Sequence, residues 1–182
     1  MNTVTYKGLT FEPYITSDRI QSRIADLAAR ITEECKGQNP LFLCVLTGAF
    51  PFAADLFRKV DLDAEIAFVR LKSYSGTEST GDVNQVLGLT ENIEGRTVII
   101  IEDIVDTGRT MARLVSDLRK QNPKDIKIAT LLFKPEALQA PVQPDYVGFE
   151  IPTKFIVGFG LDLDGLGRNL NDIWVLSEKH DE

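Results

Sequence analysis

Short, continuous apolar runs separated by stretches of helical periodicity leave this chain few ways to fold. Leu41 to Leu46 (LFLCVL), Ala64 to Leu71 (AEIAFVRL), Val98 to Ile101 (VIII), Ile126 to Phe133 (IKIATLLF) and Lys154 to Phe159 (KFIVGF) read as strands. Between them, Ile20, Ile24, Leu27, Ala28 and Ile31 recur at helical spacing behind a cap at Ser17 or Thr16, and the segment is expected to end near Gly37 to Pro40. Phe50 to Lys59 and Met111 to Lys120 read as two further helices, with Pro123 just past the second. Uninterrupted apolar strands must be covered on both faces, and alternation with helices supplies that cover. The expected fold class is therefore α/β, a mainly parallel sheet flanked by helices.

With 182 residues the chain suits a single domain, 1–182, and shows no internal repeat. A net charge of -7 gives no general footprint for nucleic acid, so an anionic ligand would have to be held by local cations. No apolar run approaches a membrane span and no basic-then-apolar leader opens the sequence, which points to a cytoplasmic protein. Cys35 and Cys44 form neither a disulfide framework nor a metal-ligand spacing. The single histidine, His180, lies in the charged tail SEKHDE, so proton transfer falls to carboxylates, lysine or tyrosine.

One segment breaks the alternation. Ser73 to Asn84, SYSGTESTGDVN, has almost nothing to bury, and loops of this length are either surface excursions or functional lids.

The chemistry concentrates in Val98 to Met111, VIIIEDIVDTGRTM. Four β-branched residues run to Glu102 and Asp103, and Asp106-Thr107-Gly108-Arg109-Thr110 then opens a helix. Backbone N–H groups of such a turn, the threonine hydroxyls and the helix dipole make a socket for a phosphate monoester. Two carboxylates beside a phosphate would repel it unless they bind ribose hydroxyls or a metal ion. Taken piecewise, the acidic pair and the DTG turn could merely cap a helix. DTG also occurs in aspartic proteases, but those need two facing carboxylate lobes on β-rich architecture, and this α/β chain has one DTG.

As a whole the chain resembles the hypoxanthine (hypoxanthine-guanine) phosphoribosyltransferases of the type I phosphoribosyltransferase fold. Besides VIIIEDIVDTGRTM, the resemblance rests on LTGAF at Leu46 to Phe50, KSYSGTESTGDV at Lys72 to Val83, FKPEAL at Phe133 to Leu138, and KFIVGFGLDLDGLGRNL at Lys154 to Leu170. It implies a parallel sheet with a small hood built from the N- and C-terminal segments. It also implies transfer of a 5-phosphoribosyl group from phosphoribosyl diphosphate to hypoxanthine or guanine, with Mg2+ as cofactor.

Carried over residue by residue, the resemblance puts Glu102 and Asp103 at the ribose hydroxyls and magnesium, and Asp106, Thr107, Gly108, Arg109 and Thr110 around the 5'-phosphate. Asp106 becomes the proton acceptor. Leu46, Thr47 and Gly48 match the diphosphate loop, with a cis peptide expected between Leu46 and Thr47, and many relatives carry lysine where this chain has Thr47. Lys134 would donate to purine O6, Phe155 would stack on the base, and the Ile156 backbone would read the ring edge. Asp162 would lie near the base as the second magnesium-binding carboxylate, with Arg168 facing the diphosphate. Ser73 and Tyr74 fall in a lid at about 73–84. The partners implied are phosphoribosyl diphosphate, a 6-oxopurine base and further copies of the chain, as a homodimer or homotetramer. An RNA-binding regulator on the same fold is the alternative, and the acidic composition argues against it.

Overall fold

The computed structural model describes residues 2–71 and 88–178. The expected lid at 73–84, with Ser73 and Tyr74, and the tail histidine His180 lie outside the described residues.

In chain order the elements are β1 (Val4–Tyr6), β2 (Leu9–Ile15), α1 (Ser17–Glu34), β3 (Leu41–Leu46), α2 (Phe50–Lys59), β4 (Glu65–Arg70), β5 (Thr97–Val105), α3 (Arg109–Arg119), β6 (Asp125–Phe133), a 3-10 turn at Pro135–Ala137, β7 (Tyr146–Glu150), β8 (Ile156–Val157) and β9 (Ile173–Leu176). Five of the strands form a sheet in the order β4-β3-β5-β6-β7, and every neighbouring pair is parallel. The order reverses between β3 and β5. In an open parallel sheet, the crevice beyond the carboxyl ends of such strands is where ligands bind.

The period of two along the strands explains why both faces are covered. Phe42 and Cys44 of β3, with Ile99 and Ile101 of β5, pack on Ile20, Ile24, Leu27 and Ile31 of α1 and on Phe52 and Leu56 of α2. The alternate residues Leu41, Leu43, Val98 and Ile100 meet Met111, Leu114 and Leu118 of α3. Helix α1 begins as expected, with the Thr16 hydroxyl accepting from the Arg19 backbone N–H at 3.5 Å.

Two sequence expectations change. Lys154 to Phe159 is not a strand of the parallel sheet; only Ile156–Val157 is extended, and it pairs antiparallel with β9. It belongs to a second sheet, ordered β1-β2-β9-β8, whose own small core is Phe11, Val157 and Trp174. After β7, the edge strand of the main sheet, Pro152 has no N–H to extend a ladder and the Lys154 N–H turns back to the Pro152 carbonyl at 2.7 Å, so the chain leaves for the hood. Tyr146–Glu150 escaped the sequence reading because it is short and is flanked by Pro144 and interrupted by Gly148, so its apolar run is too brief to register. The hood expected from the N- and C-terminal segments is this second sheet.

Strand β7 is anchored by a polar cluster. The Tyr146 ring is fully buried, and its hydroxyl donates to Glu34 Oε2 at 2.6 Å. Arg30 and Lys127 donate to the same carboxylate at 2.8 and 3.3 Å, and the Arg30 guanidinium lies 4.9 Å from the Tyr146 ring centroid. Burial and the Glu34 charge push the Tyr146 hydroxyl up, while hydrogen bonds from Tyr146 and Arg30 hold the Glu34 carboxyl down at about 2. A depressed folded-state value means that the stabilisation is fully present above the ordinary carboxylate range and is lost as pH falls toward that lower value. Glu34→Gln is therefore expected to lower stability at neutral pH and to flatten its loss between pH 4.5 and about 2. Denaturant titrations over that range test this, and an acid limb identical to that of the wild type would remove Glu34 from the account.

Candidate active site

Strand β5 pairs with β3 only from Val98 to Ile101, whereas its pairing with β6 continues to Val105 opposite Phe133. Glu102 and Asp103 are therefore not beyond the strand end. They lie inside β5, on the stretch where one edge has left the ladder and faces the crevice. Glu102 is 9% exposed, and burial together with the neighbouring Asp103 charge pushes its carboxyl well above the usual range. Burial raises Asp103 as well, against hydrogen bonds and the Arg168 charge that lower it. The Asp103 carboxylate accepts from the Ile104 backbone N–H at 2.7 Å, which fixes its direction.

That direction is toward the turn after β3. The Leu46–Thr47 peptide is cis, as expected. A Cβ placed on Gly48 would overlap the Asp103 carboxylate and lie 3.3 Å from Arg168 Nη1, so only glycine permits this approach. Gly160 in turn abuts the Gly48 carbonyl. The turn thus brings Gly48, Asp103 and Arg168 to one place from three distant parts of the sequence. Arg168 is held by two contacts: Nη1 donates to the Gly160 carbonyl at 2.6 Å, and Nη2 is 2.8 Å from Asp162 Oδ1. The other Asp162 oxygen accepts from the Gly165 backbone N–H at 2.6 Å.

Beyond the acidic pair, a cavity of about 200 Å3 is lined by residues of 102–111, among them Glu102, Asp103, Asp106, Thr107, Gly108 and Thr110. Gly108 caps α3 in the left-handed conformation, φ 76°, which turns the chain sharply into the helix. The N–H groups of a helix's first turn have no partner within the helix and attract an anion. Arg109 and Thr110 are exposed on that turn, and the Arg109 N–H reaches the Thr107 hydroxyl at 3.5 Å.

At the end of β6, Lys134 is 8% exposed, and its ammonium meets the Asp106 carboxylate at 3.3 Å. Its backbone N–H donates to the Val105 carbonyl at 3.0 Å, so the lysine is tied to the strand that leads into the turn before α3. On the hood side, Phe155 is 45% exposed and stands 6.1 Å from Phe11, while Ile156 is buried beside it.

The structure thus groups Glu102, Asp103, Asp106, Thr107, Gly108 and Thr110, and sets Gly48 and Arg168 against Asp103. Asp162 stands with Arg168. Among the described residues no three His, Cys, Asp or Glu side chains form one metal-binding group, so Glu102, Asp103 and Asp162 are not a single three-carboxylate cluster. Sequence reading missed Gly160 as the backing of Gly48, because a glycine among glycines carries no local signal of what it touches.

Comparison with known proteins places these residues in company. The chain matches the phosphoribosyl transferase domain over residues 16–164. It is 43% identical over 163 residues to the hypoxanthine-guanine phosphoribosyltransferase of Bacillus subtilis, covering 89% of this chain and 91% of that protein. A crystal structure of a hypoxanthine phosphoribosyltransferase from Staphylococcus aureus superposes with a TM-score of 0.85 at 37% identity, covering 91% of each chain. The bifunctional protein TilS/HprT of Listeria monocytogenes is 42% identical over 163 residues, and there the chain spans only 25% of the relative's length.

Gly48→Ala is expected to displace the Asp103 carboxylate while leaving the fold intact, because the obstructing atom is a side-chain oxygen and not backbone. A crystal structure of the variant should show that carboxylate turned away, with unfolding free energy lowered by about 1 kcal/mol. An unmoved Asp103 would contradict the packing described.

Proposed function

The chain belongs to the phosphoribosyltransferase family, and from that premise we propose that it is a purine-salvage enzyme moving the 5-phosphoribosyl group of phosphoribosyl diphosphate to N9 of hypoxanthine or guanine. The observation that carries the choice of base is the Lys134–Asp106 pair at 3.3 Å. A 6-oxopurine carries an acceptor, O6, and a donor, N7–H, side by side on one edge. An ammonium and a carboxylate in contact match that edge in order. Adenine presents an amino donor at the same place and would face the Lys134 ammonium donor to donor.

Each remaining residue then takes a role. Thr107, Gly108, Arg109, Thr110 and the first turn of α3 hold the 5'-phosphate. Glu102 and Asp103 accept from the ribose hydroxyls. Leu46, Thr47 and Gly48 present backbone to the diphosphate, with Arg168 facing the leaving group and Asp162 holding Arg168. Phe155 covers one face of the base and the Ile156 backbone reads its edge. As N9 bonds to the anomeric carbon, the bond to the diphosphate oxygen breaks and that oxygen keeps the electron pair. The proton leaving N7 passes to Asp106.

The donor set also fits Mg2+. Glu102 and Asp103, side by side, provide hard oxygen ligands, and Asp162, paired with the Arg168 that approaches the Gly48 turn, offers a further carboxylate; few protein ligands suffice when the substrate's own oxygens complete the shell. When bound, Mg2+ supplies positive charge to the diphosphate as it leaves. The same reading carries a cytoplasmic location and assembly as a homodimer or homotetramer. Among the described residues no helix is long and apolar enough to cross a membrane.

A panel of purine and pyrimidine bases incubated with phosphoribosyl diphosphate and Mg2+ tests the proposal. Nucleotide should form from hypoxanthine and guanine and scarcely from adenine; no product from either 6-oxopurine sinks it. Asp106→Asn is expected to lower kcat by about 100-fold or more, with little change in KM for phosphoribosyl diphosphate. Glu102→Ala and Asp103→Ala should instead raise that KM, and the reverse pattern in steady-state kinetics would overturn the assignment of roles.

A further inference from the structure

The cap glycine of α3 is hemmed in from behind by side chains that the transfer chemistry does not use. A Cβ on Gly108 would lie 2.7 Å from Leu138 Cδ1, 2.8 Å from Val142 Cγ1 and 3.5 Å from Ala140 Cβ. Neither Leu138 nor Val142 lines the cavity in front of that glycine. Both pack instead on the apolar cluster of Val105, Met111 and Leu114, the residues that flank the phosphate turn on either side. The backbone adds to this hold, because the Thr107 carbonyl accepts from the Gln139 and Ala140 N–H groups at 2.9 and 3.1 Å. At its other end the same segment ties Lys134 to Val105 through the 3.0 Å backbone bond, and the Ala137 N–H closes the 3-10 turn on the Lys134 carbonyl at 3.1 Å.

We infer that Leu138 and Val142 are positioning residues for the phosphate socket, acting through Gly108 and not by touching ligand. The inference rests on the functional reading above only in assigning that socket to a 5'-phosphate. Glycine has the widest backbone freedom of any residue, so a glycine cap does not hold its left-handed conformation unaided. Here the restraint comes from the outer side, where Leu138 and Val142 close against the bare Cα while two hydrogen bonds fix the carbonyl one residue earlier. With the cap fixed, the N–H groups of Arg109, Thr110 and Met111 point in constant directions. Loss of the Leu138 methyls leaves Gly108 room to move, and small misplacements of a binding group far from the chemistry are costly. Because residues 134–142 form one continuous brace, the lysine that reads the base and the turn that holds the phosphate keep a fixed separation.

Equilibrium binding to the full chain tests this without reference to turnover. Titration calorimetry with ribose 5-phosphate and, separately, with pyrophosphate in Mg2+ compares wild type with Leu138→Ala, Val142→Ala and Leu138→Met. The two alanine variants are expected to bind ribose 5-phosphate about tenfold more weakly, with pyrophosphate affinity, which depends on the Gly48 and Arg168 side of the crevice, changed less than twofold. Leu138→Met, which refills the contact, should recover most of the loss. Ribose 5-phosphate affinity unchanged in both alanine variants, an equal loss for both ligands, or a wild type that does not bind ribose 5-phosphate overturns the inference. Should Leu138→Ala not fold, Leu138→Val carries the same comparison. A wild type that binds ribose 5-phosphate but makes no nucleotide from hypoxanthine or guanine counts against the functional reading alone.

Discussion

Glu102 and Asp103 stand side by side on a strand whose neighbour has just turned away, and much of the molecule is arranged around that fact. Burying a carboxylate without a partner costs several kcal/mol or more. A raised Glu102 carboxyl is the expected signature, with burial as its main cause and the Asp103 charge adding to it. The pair can be kept in place because β5 stays paired with β6 on both sides of Asp103, at Glu102 opposite Thr130 and at Ile104 opposite Leu132. Only the β3 side is open, and it opens toward the turn where a glycine lets backbone approach the second carboxylate. A parallel sheet thus converts a change of strand order into a polar crevice with rigid walls.

Rigidity reaches the loops by different means on each side. At the turn after β3, close approach does the work: Gly48 lies against Asp103, Gly160 lies against Gly48, and Arg168 is fixed by the Gly160 carbonyl and Asp162. At the turn before α3, side chains pack behind the backbone. The hood contributes Phe155 and Ile156 from chain that has left the main sheet, braced against Phe11 of the N-terminal hairpin. Residues far apart in sequence therefore share one crevice because the parallel topology returns the carboxyl end of each main-sheet strand to the same edge.

Much of this was legible before any coordinates. Apolar runs and helical spacing identify β3, β4, β5, β6, α1, α2 and α3, since each buries a face large enough to leave a periodic trace. The site motif VIIIEDIVDTGRTM carried its own chemistry, while the helix read from Met111 begins two residues earlier, at Arg109, behind the Gly108 cap. What stayed hidden was tertiary. Strand β7 is too short and too interrupted by Gly148 to announce itself, and Ile156–Val157 looks like any other apolar strand until its antiparallel partner β9 is known. The coupling of Arg168 to Asp162, and of Leu138 to Gly108, depends on contacts between loops whose local sequence has no periodicity to read.

The pairing of charges across the crevice also bears on selectivity. Arg168 is joined to Asp162 and Lys134 to Asp106, so these two cations are already compensated within the protein. An anion arriving alone would have to break those pairs while approaching two further carboxylates, in a chain of net charge -7. A ligand that brings hydroxyl donors to Glu102 and Asp103, and its own divalent counter-ion with its phosphates, meets a different balance: it satisfies the acidic pair as it competes for Arg168. Likewise a base offering an acceptor and a donor together can take over both halves of the Lys134–Asp106 pair, leaving neither charge unpartnered. At these two pairs the site is built to exchange partners, so a group that displaces either cation must also offer a partner to its carboxylate.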